Sequence, residues 1–103
     1  MPGPSAELHP DARAEFLAAI AWYMERSPDA ALRFYNEVER GVALIAEAPA
    51  RWPTYLAGTR RVVLRQFPYS LVYLAKEPLP LIVAVAHHKR RPRYWEPRLG
   101  GAA

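Results

Sequence analysis

The sequence predicts an α+β fold, with an antiparallel helical hairpin packed on a small twisted antiparallel sheet in the order β-α-α-β-β-β. Three observations predict it. Two proline-led stretches in the first half carry apolar residues at helical spacing. After Thr59 the period falls to about two, through three runs rich in β-branched and aromatic residues. The joins between those runs are too short for parallel crossovers, so the strands form a meander.

The first helix is expected over about residues 10–26. Pro10 suits the first helical position, where its missing N–H has no helical partner anyway. Asp11 and Glu15 lie near the positive end of the helix dipole. Ala12, Phe16, Ala19, Ile20 and Tyr23 mark one buried face. Ser27-Pro28-Asp29 repeats the start signal, with Ser27 as N-cap. The second helix is expected over about 28–47, with Ala31, Phe34, Val38, Val42 and Ile45 inward and a stop ahead of Pro49. So short a join makes the helices antiparallel neighbours.

Residues 48–59 read as a loop, with Pro49, Pro53 and Gly58 in it and Trp52 plugging it onto the core. Strands are expected over 60–66, 69–75 and 81–88. Arg61, Val63 and Arg65 share one face of the first, Val62 and Leu64 the other. Phe67-Pro68 interrupts, and Glu77-Pro78-Leu79-Pro80 makes the second turn. The last strand is nearly all apolar, as in a strand buried on both faces. Ala6–Leu8 can add an edge strand. The basic residues are expected on the sheet face away from the helices. Tyr69 and Tyr73 share a face with Leu71 and read as packing residues, and Tyr94-Trp95 as a helical turn folded back.

A chain of 103 residues makes one domain, 1–103, with disorder expected at 1–5 and 100–103. With no cysteine, disulfides and thiolate metal sites are excluded. No run reaches the ~18 apolar residues of a membrane span. Residues 1–5 lack a signal-peptide pattern, so a soluble, cytoplasmic protein without membrane partners is expected. The net charge is +4, unevenly placed: residues 1–59 carry five Lys/Arg against eight Asp/Glu, residues 60–103 nine against two. Such asymmetry points to a polyanionic partner, a nucleic acid or an acidic protein segment.

The element order and several stretches together resemble the RelE/ParE toxin superfamily, also labelled plasmid stabilisation proteins. The stretches are Ala48-Pro49 closing the second helix, Arg61-Val62-Val63-Leu64-Arg65-Gln66-Phe67-Pro68-Tyr69-Ser70-Leu71-Val72-Tyr73, and Ile82 to Trp95 with His87-His88-Lys89-Arg90-Arg91-Pro92-Arg93 inside it. The likeness covers about Leu8 to Arg98. It implies the toxin half of a type II toxin–antitoxin pair, neutralised by a cognate antitoxin. RelE-like members cut messenger RNA in the ribosomal A site; characterised ParE-like members poison DNA gyrase.

The resemblance also implies site residues. RelE-like nucleases use no metal; strand-borne cations hold the scissile phosphate. Arg61 stands at the first such cation, but Val63 at the second and Ser70 at a third. Arg90 or Arg91 meets the cation leaving the last strand, Tyr94 is a loose counterpart of a C-terminal tyrosine, and His88 stands where some relatives have histidine. Each missing phosphate contact removes ~1.5–3 kcal/mol, an order of magnitude or more in rate. Arg65, on the face of Arg61, is the expected compensation. Catalytic candidates are therefore Arg61, Arg65, His88, Arg91 and Tyr94. Target or polyanion binding falls to Arg61, Arg65, Lys89, Arg90, Arg91 and Arg93. His87 and His88 leave the strand on opposite faces and cannot share one metal, so no metal and no cofactor is expected.

The favoured expectation is a ParE-like toxin that binds an essential target such as DNA gyrase. The alternatives are a RelE-like, metal-independent endoribonuclease acting on ribosome-bound messages, and a non-toxic basic domain binding nucleic acid. Glu37, Glu39 and Glu47 on the second helix, which would repel phosphates, weigh against the last.

Overall fold

The computed structural model describes residues 5–100. The disorder expected for 1–4 and 101–103 lies outside the described residues. The order is β1 (Glu7–Leu8), α1 (Pro10–Arg26), α2 (Pro28–Glu47), a 3-10 turn (Leu56–Gly58), β2 (Arg60–Val63), β3 (Tyr69–Leu74), β4 (Leu81–His87) and α3 (Pro97–Gly100). Gly100, placed with the frayed end by the sequence, closes α3.

Both helices begin where their proline signals lie. His9 Nδ1 accepts the Asp11 N–H at 3.0 Å, and Ser27 Oγ accepts the Ala30 N–H at 3.1 Å. Each takes up one of the N–H groups a helix start leaves unpaired. Phe16, Phe34, Val38 and Ile45 turn inward onto Leu71, Tyr73 and Ile82 of the sheet. Phe67 stands edge-on to Tyr23 and Phe34 at 5.2 and 5.3 Å between ring centres, fixing the turn after β2. Trp52 closes the loop as expected, its Nε1 donating to the Leu44 carbonyl at 3.4 Å. Tyr73 is fully buried and its hydroxyl donates to the Pro49 carbonyl.

The strand order is β1-β4-β3-β2. β2, β3 and β4 form the antiparallel meander. β1 joins as an edge strand but runs parallel to β4, through Glu7–Leu81 and Leu8–Ile82. A register shift at Val72/Tyr73 lets Val72 face Ala84 and Tyr73 face Ile82, so β4 bulges at Val83.

Two expectations are corrected. β2 ends at Val63 rather than residue 66. The Glu37 carboxylate on α2 accepts the backbone N–H groups of Arg65 and Gln66, and this pulls the chain out of the ladder. Nor is the far face of the sheet given over to charge. Val72, Val83, Ala84 and Ala86 are covered there by Trp95, with Tyr55, Leu56 and Leu99 packed around it. Trp95 is only 2% exposed. Burying such a ring stabilises by about 4–6 kcal/mol as an upper figure. This second apolar layer explains why β4 is buried along Leu81–Ala86. Among the described residues, no helix is long and apolar enough to cross a membrane.

Candidate functional site

The uncovered end of that far face forms a cleft of about 310 Å³. Strand alternation supplies its floor. Arg61 and Val63 of β2 lie opposite Val72 and Ser70 of β3, and Ala86 of β4 lies beside Ser70. β4 then delivers His88, Arg90 and Arg91 to the rim, with Tyr55 and Tyr94 on the flanks.

Two arginines rest on aromatic rings. The Arg61 guanidinium carbon lies 4.1 Å from the centre of the Tyr55 ring. That of Arg90 lies 3.9 Å from the centre of Tyr94. Such stacking orients a guanidinium and leaves its N–H edges free for an anion. Among the described residues, no carboxylate lines the cleft, and Arg61, Arg90 and Arg91 form no salt bridge.

Ser70 is 2% exposed, and its Oγ lies 2.9 Å from His88 Nε2. Among the described residues no carboxylate orients the other His88 ring nitrogen, so the pair lacks the third member of an activated nucleophile. His87 turns to the opposite side, edge-on to Tyr69 at 4.9 Å. Its Nδ1 accepts the Lys89 N–H at 3.0 Å. Burial, then the charges of Lys89 and His88, hold its pKa below the usual histidine value.

Tyr94 brings its ring to the cleft but turns its hydroxyl away, donating to Glu15 Oε2 at 2.8 Å. Burial, and then the Glu15 hydrogen bond, push its pKa well above the usual phenol range. The phenol therefore ties the tail to α1 and holds its proton. Arg98 completes that tie, with Nη2 2.9 Å from Glu15 Oε2 and Nη1 2.9 Å from the Val83 carbonyl. Burial opposes its charge, but the Glu15 contacts outweigh burial and its pKa rises.

The structure thus brings Arg61, His88, Arg90, Arg91 and Tyr94 together and leaves three candidates elsewhere. Arg65 does not share the face of Arg61. With β2 ended at Val63, Arg65 is absent from the cleft lining and instead lines a separate concavity with Arg40, Glu37 and Trp52 on the helix side. Lys89 is exposed outside the cleft lining. Arg93 pairs with Glu96 at 3.4 Å. Sequence reasoning missed Tyr55, whose contact with Arg61 depends on how the loop folds back. It also missed Glu15 and Arg98, whose signal was only opposite charge 83 residues apart.

A second concavity, about 610 Å³, lies between α1 and the end of β4. Ala18, Ala19, Trp22, Pro68, Tyr69 and Val85 give it a mainly apolar wall. Trp22 remains 51% exposed there. Among the described residues, no three His, Cys, Asp or Glu side chains gather as a metal site.

A family model described as the ParE toxin of type II toxin–antitoxin system, parDE, matches residues 6–92. A comparison with curated proteins finds no match. Among solved structures, one described as a chromosomal ParDE TA system from P. aeruginosa is similar in fold. Its TM-score is 0.71 at 19% identity, over 82% of this chain and 95% of that one.

Proposed function

The chain belongs to the ParE toxin family of type II toxin–antitoxin systems, and from that premise we propose that it arrests growth by binding an essential target such as DNA gyrase. A cognate antitoxin holds it silent until released. The observation that carries binding over cutting is the departure of Arg65 from the cleft. Val63 and Ser70 stand where RelE-like relatives carry cations, and Arg65, the compensation that strand alternation predicts, is absent from the cleft lining. Phosphodiester cleavage needs donors aimed at the charge that develops in the transition state. The cleft keeps cations that attract an anion but lacks that full set.

The apolar groove of Trp22, Tyr69 and Val85 supports the antitoxin part of this reading. A half-exposed tryptophan beside small alanines is a surface that a partner segment would cover. The cytoplasm, where gyrase acts, is the compartment the reading requires.

A ribosome-dependent nuclease remains the second reading, on one observation: His88 stands in the same cleft as Arg61 and Arg91. Expression without a partner separates the two. The binding toxin stops growth and raises DNA-damage signalling while messages stay whole. Growth arrest accompanied by messages cut at ribosomal A sites contradicts it.

A further inference from the structure

We infer that the outer face of the helical hairpin joins two copies of this chain as a two-fold dimer, with α1 packed antiparallel on the partner's α1. The face lies outside both the cleft and the groove, so the inference stands apart from the toxin's target and its antitoxin.

Exposure marks the surface. Among the described residues, Leu17, Met24, Leu32 and Tyr35 of the two helices are each 43–58% exposed. Tyr35 stacks on Phe16 with 5.9 Å between ring centres, which sets it at the seam between the helices. Leu32, three residues earlier, shares its side of α2. Large apolar side chains left bare on one face mark a surface that a partner covers.

The sequence of α1 spaces that surface for pairing. Ala14, Leu17, Ala21 and Met24 follow at intervals of three, four and three, and all four are exposed. This is the seam spacing of paired helices. Small residues also alternate with large ones. In an antiparallel pair with its two-fold axis level with Ala19, Leu17 lies opposite the partner's Ala21, and Met24 opposite the partner's Ala14. Each large side chain meets a small one on both sides of the axis, as a self-complementary contact requires.

Charge selects a second copy as the occupant. Residues 60–103 carry nine Lys/Arg against two Asp/Glu, so the cationic half repels its own kind. On the hairpin the charges cancel. Glu25 pairs with Arg26 and Asp29 with Arg33, and Arg13 and Glu39 near the open end are of opposite sign. Two copies meet here without net repulsion, and an acidic partner finds no cationic surplus to hold it. The patch offers roughly 500–600 Å² a copy, so a pair buries ~1,000–1,200 Å², the lower end for specific interfaces. Such a dimer forms at high concentration and dissociates on dilution.

Sedimentation equilibrium of the purified full chain, from about 1 to about 100 µM, tests the inference. Dimer is expected at the top of that range and monomer at the bottom. Raising salt to about 0.5 M should leave the dimer intact or strengthen it, because apolar contact holds it. Leu17→Lys and Ala21→Glu alter exposed positions, and circular dichroism should show both folded. Each is expected to weaken dimerisation ~10-fold or more. Mixed in equal amounts they should pair again, with the new lysine facing the new glutamate across the axis. Val63→Thr, an exposed apolar position on β2, leaves dimerisation unchanged. The inference is overturned if the chain stays monomeric at about 100 µM, which would leave the face to a different protein. It is equally overturned if salt dissolves the dimer, if folded Leu17→Lys dimerises like the parent chain, or if the two variants fail to pair when mixed.

Discussion

Arg98 and Glu15 meet at 2.9 Å across the edge of β4 that β1 leaves open after Ile82. Their side chains are 15% and 16% exposed. Glu15 also accepts the Val85 N–H at 3.0 Å, and Arg98 donates to the Val83 carbonyl at 2.9 Å. The pair therefore satisfies backbone groups that a neighbouring strand would otherwise take, and it protects an exposed edge from unwanted pairing. Glu15→Ala takes the acceptor from the Tyr94 hydroxyl and the Val85 N–H and leaves the Arg98 guanidinium with only Asp11 and the Val83 carbonyl. We expect a loss of ~3–5 kcal/mol in urea unfolding. The double variant Glu15→Leu/Arg98→Met removes the buried charge as well and should lose less than Glu15→Ala alone.

A second prediction concerns the contact of α2 with β3. A Cβ added at Gly41 would stand 2.6 Å from Leu71 Cδ1, and Leu71 is fully buried. Overpacking costs ~1–3 kcal/mol, while alanine gains up to ~1 kcal/mol over glycine within a helix. Gly41→Ala should therefore lower stability by ~1 kcal/mol. Adding Leu71→Val, which shortens the obstructing side chain, should give less than the sum of the two single losses. Additive losses would mean that the two sites are not in contact.

The state of His87 sets an acid dependence. Its pKa lies below the usual value in the folded chain, through burial first and then the charges of Lys89 and His88. The unfolded chain, with a histidine pKa near ~6.5, takes up the proton more readily. The contribution is fully present above that value and is lost as pH falls through it toward the folded pKa. Chemical denaturation between about pH 7.5 and pH 5 should show a shallower acid decline for His87→Gln than for the parent. Identical slopes would contradict the assignment.

Arg93 adopts φ of 66°, in the left-handed region, at the bend that carries the chain from the cleft to Trp95. A residue with a Cβ is disfavoured there by ~1 kcal/mol or more. The pair Arg93–Glu96 is roughly half exposed on both sides and contributes little. Arg93→Gly should raise the thermal midpoint. A lowered midpoint would show that the ion pair outweighs the backbone.

Local chemistry made much of this fold legible. Pro10 and Pro28 marked helix starts because a fixed φ and a missing N–H suit only the first turn. The alternation of Val62 and Leu64 with Arg61 and Val63 told which side chains face the helices. The same alternation misled at Arg65. Nothing local reveals that Glu37, on a different element, captures the N–H groups of Arg65 and Gln66 and ends the strand. Arg98 was likewise illegible. In a cationic tail it reads as a solvated charge, and only the folded chain brings Glu15 to it. Trp95 as the lid of a second apolar layer belongs to the same class of long-range pairing.

The direct test of a toxin that binds and does not cut is DNA supercoiling by purified gyrase in the presence of the purified chain. Supercoiling should fall with rising toxin and recover when the antitoxin is added. Gyrase left fully active at saturating toxin, while ribosome-bound messages are cleaved by the same preparation, would contradict the account.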